Sequence, residues 1–518
     1  MVFSAFTPGQ LLARIGISLV LLLLHRVFQS RFINPLRTIP GPFLNSITEL
    51  PAALALLRGE QHVYYQSLHD KYGPVVRVSP DEVSFITAAA RQEIHGLRKN
   101  GLNMEKSPIF LGAVGAEDGQ TGVSLATKDN HMRQRKALGY IFSNTALVQL
   151  EDLVQGHIQK LMNIIANNAA KKQPMDVSSW FSYVAFDMVG DLCFAEPFGC
   201  LDTGADTEWS TSVIEIFVGA TWTQGIRRLS GVGTYLESLM TRLLIPAKAA
   251  EWRRIHIKNA REKTQRRLED RDREHTDFMS HVLRNTESKR SLSQTEIILN
   301  MAGFVSGGTD TTATALAGWT YFMCTHPNAY KRVAEEVRSA FTSSDELRWD
   351  KVKELSFLGA TIHEAMRLYP PSPASQQRIV PAGGATIEGY YIPEKKTVAV
   401  APWVSTHSSL NFKDPLEFHP ERWLTGDEAG SEFANDKLVA SSPFGIGPRV
   451  CMGKNLAQLE MRLIAAHMLW SFDFELDRGQ YLEKNHVWGL DGKLKNFKIF
   501  HSMTKPALWV SFTKRSES

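Results

Sequence analysis

The sequence predicts a mainly α-helical protein: one large helical domain with a small β region, preceded by an amino-terminal membrane anchor. Three observations carry that prediction. Apolar residues recur at three- and four-residue spacing over long stretches, whereas alternating, β-rich stretches are few and short. No Ser/Gly-rich linker, low-complexity tract or internal repeat divides the body. An apolar run near the amino terminus stands apart from everything after it.

Taken in order, residues 1–30 read as the anchor. Leu11 to Phe28 is mostly apolar, but Arg14 interrupts it. The unbroken run Ile15 to Leu24 is shorter than the roughly 20 residues of a standard span. His25, Arg26, Arg31 and Arg37 follow where a cleaved signal peptide would carry small residues, which favours a retained segment. Basic residues on that side hold the remainder in the cytosol. The alternative is an amphipathic segment lying on the bilayer or on the protein itself. Residues 31–45 read as a proline-rich hinge, because Asn34-Pro35 and Ile39-Pro40-Gly41-Pro42 restrict the backbone. Residues 46–518 then form the catalytic domain.

Within that domain, helical periodicity covers Leu147 to Asn168, Ile245 to Arg271, Gln294 to Thr325, Asn328 to Phe341 and Phe357 to Tyr369. Shorter helical stretches are Asp129 to Phe142 and Lys454 to Trp470. Strand signals occupy Val75 to Val78, Val83 to Ile86, Thr386 to Ile392 and Thr397 to Ala401. The charged run Lys258 to Glu274 alternates acids and bases, as a solvated helix face does. The formal net charge of +4 is too slight to imply a nucleic-acid partner. Cys193, Cys200, Cys324 and Cys451 form no CxxC pair, which excludes a disulfide-stapled secreted domain and fits a reducing compartment.

Phe444-Gly445-Ile446-Gly447-Pro448-Arg449-Val450-Cys451-Met452-Gly453 sets a lone cysteine in a glycine-rich loop just before a helix. A thiolate there can ligate haem iron, donating electron density that favours cleavage of a bound O–O bond. Loop N–H groups and the helix amino terminus can stabilise the anion. The glycines let the backbone approach sulfur and porphyrin. Phe444 can shield the iron–sulfur bond, and the fork of Arg449 suits a haem propionate.

This pattern resembles the haem-binding loop of the cytochrome P-450 superfamily, and the resemblance runs from the hinge to the carboxy terminus. It implies the P-450 fold and haem b, iron protoporphyrin IX, with Cys451 as the axial iron ligand and Phe444, Arg449 and Gly453 around it. The family's acid–alcohol pair maps onto Asp310 and Thr311, in Gly307-Gly308-Thr309-Asp310-Thr311-Thr312, with the acid relaying protons and the alcohol holding the activated oxygen. The glycines predict a local bulge in that helix, and the Thr311 hydroxyl is placed to bond back to the Gly307 carbonyl. A glycine-kinked core helix with a buried threonine carries the same letters.

Glu364 and Arg367 share one helix face and, with Arg422, resemble the family's structural Glu-Arg-Arg triad. His131 and Arg135 match positions where the family often has Trp and Arg contacting propionates, His131 standing in for the Trp. Arg378 matches a further propionate ligand; a surface arginine is its alternative.

Lys106 to Phe110, His131 to Arg135 and Phe186 to Gly199 resemble a fungal group that tailors secondary metabolites, including the trichothecene hydroxylases. That implies a monooxygenase using O2 to hydroxylate, epoxidise or couple an apolar small molecule, a terpenoid or polyketide. Its walls are expected from Pro108 to Ser124, Ile214 to Tyr235, the helix near Phe304, and Pro371 to Ser375. No flavin or nicotinamide domain follows the matched region, so electrons are expected from a membrane-bound NADPH-cytochrome P-450 reductase, docking on Lys136, Lys454 and Arg462. The expected location is the endoplasmic reticulum membrane, with the catalytic domain facing the cytosol. Two rivals remain at this stage: a reductase-independent haem isomerase or dehydratase, and a non-catalytic haem binder.

Overall fold

Local signals set the ends of the longest helix. Ser293 and Glu296 close a reciprocal capping box, the Glu296 N–H donating to the Ser293 hydroxyl at 3.1 Å and the Ser293 N–H to the Glu296 carboxylate at 3.0 Å. Pro327, at the first position of the next helix, cannot extend the previous one, so the central helix runs Gln294–Thr325. In the computed structural model the described residues are 8–98, 101–110, 114–270, 273–284, 292–428, 430–480, 488–489, 494 and 497–515. The first seven residues of the predicted anchor, residues 111–113 of the predicted substrate loop, and 271–272 of the charged run lie outside them.

The central helix is buried along most of its length and packs against Val177–Phe194, Ala247–Glu269, Ser356–Leu368 and Lys454–Ser471. Gly318 permits one of these contacts, since a Cβ there would meet the Tyr369 ring at 2.6 Å. The other predicted helices form as Asn144–Ala170, Ala247–Glu269, Pro327–Ala340, Ser356–Leu368, Lys128–Leu138 and Lys454–Ser471. The predicted Asp129 to Phe142 stretch closes on a 3₁₀ turn, Gly139–Phe142. In the charged helix, Arg254 and Lys258 pair with acids at the surface, but Arg267 turns inward to a buried pair with Asp277 at 2.9 Å.

A five-stranded sheet is ordered Val75–Ser79, Glu82–Phe85, Thr397–Val400, Arg378–Ile379, Glu105–Lys106. Its last antiparallel pair puts Lys106 directly opposite Arg378. The predicted single strand Thr386 to Ile392 is instead a hairpin, Ala385–Ile387 with Tyr390–Ile392. Glu388 and Gly389 both take positive φ, 50° and 78°, which turns the chain back. Leu36 and Ile39 of the proline-rich segment already pack with the sheet core. The amino-terminal helix Pro8–Phe28 is apolar and exposed, with the length and composition of a membrane span.

Candidate active site

The cysteine loop is shaped by two left-handed glycines. Gly445 and Gly447 have φ of 71° and 70°, and a Cβ at Gly447 would collide with the His95 carbonyl oxygen. The Cys451 N–H donates to the Phe444 carbonyl at 2.8 Å, closing the loop before the Lys454–Ser471 helix. At Gly453 φ is −79° and a Cβ would meet no atom nearer than Phe142 at 3.9 Å, so the surrounding protein atoms alone do not require glycine there. The Cys451 side chain is accessible, yet burial pushes its thiol pKa up, opposed by the Gly453 N–H and the Arg135 charge. A desolvated group with accessible surface borders an internal space.

Cations gather beside that space. Arg135 donates to the Val450 carbonyl at 2.7 Å, next to the cysteine. Arg449 pairs with Glu105 at 2.6 Å and donates to the Ala126 carbonyl at 2.8 Å. Arg378 is buried and its Nη1 lacks a partner among the described residues. Burial, then the Arg449 charge, brings its pKa down to about 10. His131 is held neutral, its pKa pushed down to about 4 by burial and then by Arg449, Arg135, Lys106 and Arg378. Lys106 is also pushed well down, by burial and by Arg378 and Arg449. Its place beside Arg378 follows from sheet register, so local sequence gave no sign of it.

The central helix supplies the opposite kind of surface. Gly303, Phe304, Gly307, Gly308 and Thr311 keep accessible surface on an otherwise buried helix, and their spacing draws one stripe. A Cβ at Gly303 or Gly307 would meet nothing. Thr311 Oγ1 donates to the Gly307 carbonyl at 2.6 Å, the bond its spacing predicts. The predicted bulge is absent: the helix stays α through both glycines, because the hydroxyl bond is made without opening the helix. Asp310 is buried and faces the carboxy-terminal segment, where Lys505 forms an ion pair with it and the Ser502 hydroxyl donates to it. Thr312 donates to Glu460 at 3.2 Å, tying this helix to the cysteine helix. Lys505, Ser502 and Glu460 escaped the sequence reading, since contacts spanning as many as 195 residues have no local signature.

Glu364, Arg367 and Arg422 do come together, wholly buried. Arg367 grips Glu364 through two bonds of 2.8 Å, and Arg422 Nε reaches the same carboxylate at 3.0 Å. The Trp423 indole and the His419 N–H also donate to it, at 2.8 and 2.9 Å. Arg367 further donates to the Thr406, Pro415 and Glu417 carbonyls. Asp436, unforeseen, pairs with Arg422. Of the predicted docking residues, Lys136 and Lys454 are exposed. Arg462 is not free: its guanidinium donates to the Lys353 carbonyl at 2.7 Å, under Gly359.

These residues fit a large metal-centred dianion. Cys451 offers a sulfur ligand at the edge of an internal space. Arg135, Arg378, Arg449 and Lys106 crowd together with Glu105 as the paired acid, and such crowding is relieved by two added carboxylates. Comparison with known proteins agrees. The family model described as Cytochrome P450 matches residues 38–496. The chain is 54% identical over 497 residues to the cytochrome P450 monooxygenase aba2 of Botryotinia fuckeliana, covering 96% of this chain and 94% of the relative. It is 47% identical to ABA2 of Pyricularia oryzae, covering 97% and 96%. It is 34% identical to averantin hydroxylase of Dothistroma septosporum, covering 99% and 93%. The chain belongs to the cytochrome P450 family. It is an oxidoreductase, a monooxygenase with a haem-iron cofactor that uses O2 and a redox partner to oxidise a small molecule.

Proposed function

We propose that the chain is a haem b monooxygenase of fungal secondary metabolism, oxidising an apolar terpenoid or polyketide with electrons from NADPH-cytochrome P-450 reductase. The similarity to averantin hydroxylase supports the class of reaction. The carrying observation is the accessible, desolvated Cys451 sulfur, which we read as facing one chamber with the open stripe of the central helix.

Cys451 would hold the iron, Phe444, packed against the core, would cover the sulfur, and Gly453 precedes the first turn of the following helix. Arg378, Arg449, Arg135 and His131, with Lys106 added, would hold the propionates by charge and hydrogen bonding. When bound, haem supplies activation of O2 and insertion of one oxygen atom into a C–H or C=C bond. Thr311 has committed its proton to Gly307, so its oxygen lone pairs accept a hydrogen bond from a donor in the groove. Asp310 relays protons by exchanging Lys505 for water. Apolar side chains, Phe304 and Phe110 among them, exclude bulk water from that path.

The same reading places the protein in the endoplasmic reticulum membrane, its body in the cytosol. Support comes from the Pro8–Phe28 helix and the basic residues behind it. Lys136 and Lys454 present charge to an acidic reductase. The deciding experiment is the carbon monoxide difference spectrum of the reduced protein, with product analysis against reductase and NADPH. Cys451→Ser is expected to abolish both the thiolate-type band and turnover. Full turnover in that variant, or product formed without NADPH, overturns the proposal.

A further inference from the structure

His501 sits at the tip of a short hairpin, Ile499–Phe500 with Ser502–Met503, where Phe500 pairs with Ser502. Its φ of 67° lies in the left-handed region, unusual for a side chain of this size. Three distant parts of the chain meet on its ring. Phe217, from the helix Glu208–Ser230, stacks on it at 5.6 Å with planes 9° apart. Phe110, from the loop after Glu105–Lys106, meets it at 5.3 Å, tilted 48°. The neighbouring residue, Ser502, donates to Asp310, beside Thr311 on the open stripe. His501 therefore joins two of the expected substrate walls to the hairpin that meets Asp310.

The ring is deep, because burial, assisted by Lys106 and opposed by Asp310, pushes its pKa down to about 4 and leaves it neutral. It nonetheless keeps accessible surface. A neutral imidazole has one N–H donor and one acceptor nitrogen. Among the described residues neither makes a hydrogen bond, and neither is a fully buried atom, so both stay open to a partner. Phenylalanine would fill the same stack but offer no donor or acceptor.

Resting on the chamber described under the proposed function, we propose that His501 is a substrate-recognition residue whose imidazole hydrogen-bonds a hydroxyl or carbonyl oxygen on an otherwise apolar substrate. The bond selects oxygenated substrates over plain hydrocarbons and fixes which carbon faces the groove.

The test measures dissociation constants on the haem-loaded full chain for matched pairs: farnesol with farnesene, and perillyl alcohol with limonene. The wild type is expected to bind the alcohol of a pair about tenfold more tightly. His501→Phe, which keeps the stack, is expected to bring the alcohol down to the hydrocarbon's affinity and leave the hydrocarbon unchanged. His501→Ala, which removes bulk, tests the same loss if the Phe variant does not fold. His501→Asn, which tolerates left-handed backbone and keeps polar atoms, is expected to retain the preference. Equal binding within both pairs by the wild type overturns the proposal while leaving the chamber intact. So does a preference surviving in His501→Phe, or a parallel loss of alcohol and hydrocarbon. Binding of none of the four overturns the chamber and the proposal together, and a missing thiolate-type band in the wild type identifies failure of the haem reading instead.

Discussion

Glu460 shows how a single buried group couples the two halves of the site. It lies on the helix that follows the cysteine loop and accepts a bond from Thr312, the residue after Thr311. Burial raises its pKa to about 8, against a smaller opposing effect of that bond, so the folded protein keeps it protonated at neutral pH. The sign follows from linkage. A carboxyl whose folded pKa exceeds the unfolded value of 4.5 contributes stability below pH 4.5, and that contribution is lost as pH rises towards about 8. Glu460→Gln keeps the shape and the bond to Thr312 but does not titrate. Thermal unfolding across pH 5 to 9 is therefore expected to show the variant gaining on the wild type as pH rises. Parallel curves would exclude a protonated Glu460. Nothing in the sequence marks this residue, because its character comes from the core around it. Asp310 and Lys505 give the same lesson: the acid was legible from its place before Thr311, its partner was not.

At the scale of elements, the Ser356–Leu368 helix is held by its charges. Burial alone would raise the pKa of Glu364, but Arg367 and Arg422, with hydrogen bonds from Arg367 and His419, hold it below its ordinary value of 4.5. That contribution is present above pH 4.5 and lost as pH falls through the lower folded pKa. Glu364→Gln leaves two buried guanidiniums without their shared carboxylate, at a cost of about 3 to 5 kcal/mol. Urea unfolding is expected to show that loss along with reduced haem retention; a change under about 1 kcal/mol would make the cluster dispensable.

Glu364 and Arg367 were legible because three-residue spacing puts them on one helix face, whereas Arg422, 58 residues from Glu364, was legible only through resemblance to the family's triad. The central helix was legible from its apolar periodicity, and Ser293, Glu296 and Pro327 mark its ends. The Val177–Phe194 helix was not: it is buried on nearly every side, so no polar face gives it a period. The hairpin at Ala385–Ile392 was read as one strand because its turn, Glu388-Gly389, lies inside a β-rich run. Lys106 beside Arg378 is a matter of register, which only the folded sheet specifies.

For the molecule as a whole, the proposed membrane attachment is expected to involve more than the first helix. Tyr235–Leu244 buries none of its residues, and Leu236, Leu239 and Leu243 project along one side, Leu243 with 70% of its surface exposed. A short helix that leaves such an apolar face in water is stabilised by a lipid interface, whereas the charged Ala247–Glu269 helix after it is not. Each buried leucine contributes about 1.5 to 3 kcal/mol. The chain lacking residues 1–30 is therefore expected to keep measurable affinity for vesicles of phosphatidylcholine and phosphatidylserine. Leu239→Asn with Leu243→Asn should lower that affinity at least tenfold, by flotation or surface plasmon resonance. The full-length chain carrying both changes should remain membrane-bound through the Pro8–Phe28 helix, with its catalytic body less closely applied to the lipid. Unchanged binding of the shortened double variant would assign attachment to the first helix alone and return the Tyr235–Leu244 face to ordinary solvent.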